Sequence, residues 1–198
     1  TTLNVFLTII GAYPLSRRNF LLRHFFMVVI AITMFFSGGL IPMFILVNKL
    51  GLYNTRWAII LPGAVSAWNL IIARVFFQST IPDSLPEAAK LDGCSDIGIL
   101  FRIVMPLSMP IIAVLTLYYA VGHWNSYFSA LLYLPDQKLQ PVQIYLMKVL
   151  IEQTEEALGG LEDIGTRTSL AAQMKYTIII IVVLPILCVY PFLQKYFV

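Results

Sequence analysis

The chain has 198 residues, of which 59% are hydrophobic and 12% charged, with a net charge of +3. A soluble domain carries about 25% charged and about 45–50% apolar residues, so the composition excludes an ordinary soluble domain and makes a bilayer the expected solvent. No basic run is longer than Arg17-Arg18, which leaves no phosphate-tracking surface and excludes a nucleic-acid partner.

A membrane-crossing helix needs about 20 predominantly apolar residues, and the charged residues divide the chain into windows of that kind. The first, residues 1–16, ends at Arg17-Arg18 and is short. It opens without Met and without a basic leader, so a missing start is expected. The second, residues 25–47, carries no charge and contains Gly38-Gly39 and Pro42. The third, residues 57–80, contains Pro62 and is interrupted by Arg74. The fourth lies within residues 103–134, with Pro106 and Pro110 at its start. The fifth, residues 176–194, contains Pro185 and Pro191. The windows do not alternate as barrel strands do, so the expected fold is all-α, a polytopic bundle of transmembrane helices forming one unit over residues 1–198. The prolines and glycines are compatible with ordinary kinks and with broken helices that line a pathway.

Arg17, Arg18 and Arg23 make the loop after the first window the cytoplasmic one by the positive-inside rule. Alternation then puts residues 81–102 and Lys195 inside and residues 48–56 outside. It also puts outside the long polar connection 135–175, with Glu152, Glu155, Glu156, Glu162 and Asp163. Those acids make either a solvated surface or a docking surface. Arg74 near the cytoplasmic end of its window would snorkel to the interface. Cys94 and Cys188 are far apart in sequence and read as two free thiols, not a disulfide and not a metal site.

The stretch between the third and fourth windows is the most informative. Ser84 and Glu87 have capping-box spacing, Pro86 suits a first helical turn, and Gly93 suits a left-handed helix stop. A helix over residues 85–92 is expected. It is too short to stand alone in water, so it must be held by packing. Leu85, Ala88 and Ala89 fall on one face, where the two alanines would let another protein surface approach the backbone. That is the build of a docking helix, and a plain cytoplasmic turn is the alternative.

Glu87-Ala88-Ala89, three residues and Gly93, then nine residues, Ile103 and Pro106, resemble the EAA loop of binding-protein-dependent ABC importer permeases. Met105 stands where that family usually has leucine. The run Trp68, Phe77, Ile81-Pro82, the string from Val121 to Tyr127 with Trp124-Asn125, and the ending Gln194 to Val198 are similar to its carbohydrate branch, the maltose-type inner-membrane components. The resemblance implies six spans in a full subunit, one more than is visible here. It implies localisation in the bacterial cell (inner) membrane as a multi-pass protein. It implies a cytoplasmic ABC ATPase dimer into which the helix at Glu87–Gly93 docks, a second homologous permease subunit, and an extracytoplasmic substrate-binding protein.

The chain has no G-x-x-x-x-G-K-[ST] loop, so ATP and Mg would be held by the partner ATPase, and no cofactor, metal site, catalytic group or enzymatic activity is expected here. Substrate-pathway candidates are Asn69, Tyr119, Trp124 and Asn125, with Tyr118, Tyr127 and Phe128 adding aromatic faces suited to sugar rings. The same aromatics would serve an interfacial belt, and the amides would serve helix–helix bonds. His123 lies in a window without an ionisable partner nearby in sequence. An ion-coupled secondary transporter is the alternative, as is an importer of another solute class. Ion coupling calls for ionisable residues within the spans, and Arg74 is the single formal charge inside one.

Overall fold

A computed structural model describes residues 1–159 and 164–194. Glu162, Asp163 and residues 195–198 lie outside the described residues, as do the side chains of Glu152, Glu155 and Glu156. In chain order the helices are α1 (Thr2–Ser16), α2 (Arg23–Phe35), α3 (Leu40–Lys49), α4 (Trp57–Ile60), α5 (Ala67–Thr80), α6 (Ser84–Leu91), α7 (Asp96–Ile99), α8 (Met105–Leu107), α9 (Met109–Trp124), α10 (Tyr127–Tyr133), α11 (Val142–Gly159) and α12 (Ile164–Gln194). No strand occurs among the described residues, as the all-α reading requires.

The windows seen in the sequence are broken where glycine and proline fall. Among the described residues no single helix is long and apolar enough to cross a membrane. Two bent pairs reach that length together: α2 with α3, bent by 115°, and the Asp96–Leu107 stretch with α9, bent by 83°. The first bend has a backbone cause, because Gly39 takes φ +84° ahead of α3, a conformation that costs glycine nothing and other residues about 1–2 kcal/mol. The second lies at Ser108, between Pro106 and Pro110, neither of which has an N–H to donate to the turn before it. The helix widens to a π turn over Leu100–Val104, with Met105 N–H reaching Leu100 O, and then breaks at Ser108. The third window is likewise interrupted, between α4 and α5, at Pro62 and Gly63. The polar connection 135–175 is not a simple loop, for α11 and the first turns of α12 occupy most of it.

Helices α1 and α5 form the spine and run parallel. Asn4 meets Gly63 at one end, Gly11 lies against Leu70 in the middle, and Tyr13 packs edge-on against Phe77 near the other. Small residues let the two backbones approach. Ala12 and Ala73 are fully buried, and a Cβ on Gly11 would sit 3.3 Å from Leu70 Cδ1. Helix α9 packs antiparallel on α1, so one apolar core joins α1, α5, α6, the π turn and α9. A second cluster, Val47, Ala58 and Tyr133, ties α3 and α4 to α10. There Asn54 N–H donates to Tyr133 O, which brings the turn at 50–56 to the same end as the chain leaving α10.

Candidate functional site

Two places combine exposed or cavity-facing chemistry with a defined scaffold, one at each end of the α1/α5 pair. The first is α6. Its start differs from the capping-box expectation. Asp83, with helical φ and ψ, precedes the helix, Ser84 lies inside it, and no side chain caps the first turn. The charge on Asp83 is engaged elsewhere, with Arg17 Nη1 3.3 Å from Oδ1 and Arg18 Nε 3.4 Å from Oδ2. Its end matches expectation. Gly93 has φ +82°, Gly93 N–H donates to Lys90 O at 3.0 Å and Cys94 N–H to Ala89 O at 2.9 Å, the paired bonds of a Schellman stop. Lys90 Nζ lies 2.7 Å from Asp96 Oδ1, and that hydrogen bond together with the carboxylate charge raises the lysine pKa.

The faces of α6 are assigned differently from the sequence reading. Ala89 is buried in the core with Pro86, so it holds the helix down and is not open to a partner. Glu87 and Ala88 face outward, followed by Leu91, which is 90% exposed. Ile97, just beyond, is 71% exposed. A leucine so uncovered in a short polar helix is an apolar contact without an intramolecular partner.

The second place is a cavity of about 510 Å³ between α3, α4, the break at Pro62–Gly63, α5, α9 and α10. Its polar lining comes from Ser66, Asn69, Tyr118, Tyr119, His123, Ser126, Ser129 and Tyr133, with no formally charged side chain. A bonded chain stands behind this wall. Ser66 N–H donates to Tyr119 Oη at 3.0 Å. Thr8 Oγ1 donates to Asn4 O at 2.7 Å, which leaves it as the acceptor for the Tyr119 hydroxyl 2.6 Å away. Asn4, fully buried, donates through Nδ2 to Gly63 O at 2.9 Å, so its Oδ1 faces His123 Nε2 at 3.0 Å as an acceptor and puts the imidazole proton on Nε2. Buried polar groups with every partner supplied fix the wall in one geometry.

A family model described as "Binding-protein-dependent transport system inner membrane component" matches residues 4–198. The chain belongs to this family. Two relatives of this inner membrane component are from Bacillus subtilis (strain 168). It is 46% identical over 198 residues to the polygalacturonan/rhamnogalacturonan transport system permease protein YtcP, covering all of this chain and 68% of that protein. It is 45% identical over 197 residues to protein LplC, covering 100% of this chain and 66% of that one. The crystal structure of a bacterial ABC transporter involved in the import of the acidic polysaccharide alginate matches with a TM-score of 0.83 and 34% identity over all of this chain and 70% of that chain. The inner membrane component thus spans about two thirds of the length of these relatives.

Of the residues singled out from sequence in this inner membrane component, Asn69 and Tyr119 come together on the cavity. Trp124 and Asn125 do not line it. Trp124 Nε1 donates to Val182 O on α12 at 3.0 Å, and Asn125 is exposed at the end of α9. Glu87, Ala88, Ala89 and Gly93 form or end α6, whereas Ile103 lies in the π turn against the core and Pro106 is exposed in α8. Asn4, Thr8, Ser66 and the role of His123 went unread. Asn4 and Thr8 are separated by 119 and 111 positions from their partners on α9, and no local spacing signals such pairs. A usable clue was polar side chains inside otherwise apolar windows. Among the described residues no group of three or more His, Cys, Asp or Glu could hold a metal.

Proposed function

We propose that this inner membrane component is the sugar-conducting permease subunit of an ATP-driven importer, multi-pass in the bacterial cell membrane. The observation that carries this reading is the uncharged cavity, rich in hydroxyls, phenols and one amide. Such a lining can exchange hydrogen bonds with sugar hydroxyls and offer aromatic faces to C–H patches. Relatives named for polygalacturonan/rhamnogalacturonan transport, and the alginate importer, support a carbohydrate substrate.

In this reading α6 docks into a separate cytoplasmic ATPase dimer through the outward face of Glu87, Ala88 and Leu91, with ATP and Mg held by that partner. A second homologous permease subunit completes the pathway. An extracytoplasmic binding protein delivers substrate to the state opened by ATPase closure, so each ligand biases one of two conformations. The Schellman stop at Gly93 supports a defined docking helix, because it ends the helix sharply and leaves Leu91 uncovered.

The test is uptake of labelled galacturonate oligomers and neutral galactose oligomers into proteoliposomes that hold this subunit with its ATPase, partner permease and binding protein. Uptake of at least one carbohydrate should require internal ATP and the binding protein. Uptake driven by an ion gradient without ATP would overturn the reading.

A further inference from the structure

The two ends of α1 grip different functional regions. At one end Asn4 and Thr8 hold His123 and Tyr119 on the cavity wall. At the other, the Arg17 guanidinium, only 15% exposed, spreads its donors over four acceptors. Nη2 donates to Phe77 O at 3.1 Å, and Nη1 to Ile81 O at 3.2 Å and Asp83 Oδ1 at 3.3 Å. Nε donates to Ser16 Oγ at 3.2 Å, and the ring of Tyr13 lies 5.0 Å beneath the charge. Phe77 O, which also accepts from Ile81 N–H, lies in the last turn of α5, and Ile81 O is on the residue that follows it, at the end where the helix dipole is negative. Asp83 is the residue before α6. Arg17 therefore sits across the joint from α5 into α6.

The arrangement is reciprocal. Arg74 Nε on α5 donates to Leu15 O at 3.0 Å and Gln78 Nε2 to Ser16 O at 3.4 Å, so α5 bonds the carbonyls that end α1 while Arg17 bonds those at the end of α5. Two helices that cap each other's ends do not slide without losing several bonds at once. A planar fork with five donors suits this task, and a lysine ammonium serves fewer of these acceptors.

We infer that Arg17 is the positioning residue that locks docking helix α6 to α1, so that displacement of α6 by the ATPase is delivered along α1 to the Asn4–His123 and Thr8–Tyr119 contacts of the cavity wall. This deepens the proposed function and rests on α6 being the docking element. From Asn4 to Arg17 is about 20 Å at 1.5 Å per residue, a length over which a helix pinned at both ends acts as a strut. Arg18, 82% exposed, adds only a solvent-facing contact to Asp83, of the kind that holds little.

Spin labels test this in the assembled transporter with Cys94→Ala and Cys188→Ala. One pair is placed at Leu3 and Asp92, spanning α1 to α6, and a second at Asp92 and Phe128, spanning α6 to α10; all three positions are exposed. Distances are measured without nucleotide and after trapping with ATP and vanadate. The Asp92–Phe128 distance should change on trapping and the Leu3–Asp92 distance should not. Arg17→Ala should at least double the width of the Leu3–Asp92 distribution and let it shift on trapping. Asp83→Asn, which removes the charge from one leg and keeps an acceptor, should give a smaller change, and Arg17→Lys should restore part of the lock. An unchanged Leu3–Asp92 distribution in both Arg17→Ala and Asp83→Asn would overturn the inference. An Asp92–Phe128 distance that ignores trapping in the otherwise unsubstituted protein would instead overturn the docking of α6.

Discussion

Tyr119 lines the cavity, and its hydroxyl is bonded in a way that the sequence does not reveal. An aromatic side chain of a kind suited to sugar rings is legible from the sequence. What its hydroxyl does is not, because its partners Ser66 and Thr8 belong to other helices. Replacing Tyr119 with Phe strands Ser66 N–H and withdraws a donor from Thr8. The expected loss is about 1–3 kcal/mol, the cost of leaving a buried polar group unpaired. Unfolding in mixed detergent micelles should show it. Thr8→Val in the Tyr119→Phe background should cost less than it does alone, by about 0.5–3 kcal/mol, since both changes break one chain. Additive losses would mean that the hydroxyls are satisfied separately.

At the scale of single helices, α6 was the best read and also the most instructively misread. Gly93 could be recognised because few residues other than glycine take a positive φ at a helix end without strain, and that requirement is local. The start was misjudged by one residue because Asp83 is held by Arg17 and Arg18, partners 66 and 65 positions away, numbers that no capping rule contains. The inward turn of Ala89 was hidden for the same reason, since the core it fills comes from α1, α5 and α9. Two substitutions separate holding from docking. Leu91→Asp touches a side chain that is 90% exposed, so thermal stability should stay within about 0.5 kcal/mol while co-purification of the ATPase falls. Gly93→Val forces a branched side chain into a left-handed backbone, at about 1–2 kcal/mol or more, and unravels the stop. ATP-dependent uptake should fall with it. Wild-type uptake from both variants would remove α6 from the coupling path. The broken spans were partly legible too: Gly38-Gly39 and Pro106 marked the bends, but their angles depend on packing. The helices α11 and α12 within the polar connection are not legible from hydropathy, because their charged residues interrupt any uncharged window.

For the whole molecule, the parallel pairing of α1 and α5 decides what is near what. It collects Arg17, Arg74 and Asp83 at one end and Asn4, Gly63 and Ser66 at the other. Hydropathy revealed the lengths of these segments but not their pairing, because an apolar window carries no record of its neighbour. Gly11 allows the close approach at mid-length, and Gly11→Leu should press on Leu70, cost about 1–3 kcal/mol through overpacking, and disturb both ends together. Limited proteolysis near residues 81–96 and the reactivity of a cysteine placed at Ser129 should rise in parallel. A change at one end alone would show that the pair does not act as a unit.

Because α1 and α5 point the same way, residues 17–66 are a return journey from the Arg17 end to the Gly63 end. The journey bends at Gly38–Gly39 and turns again at residues 50–56, and at neither place does it bear on the register of the pair. Gain or loss of a residue there alters the path home and leaves the two rods aligned. One residue lost from within α1 rotates all that follows by about 100° and parts Arg17 from the end of α5 if Asn4 keeps its place. Length variation in descendants of this sequence therefore belongs at the Gly38–Gly39 bend, outside the part of α2 that packs on the core, while α1 and α5 should drift only by substitution.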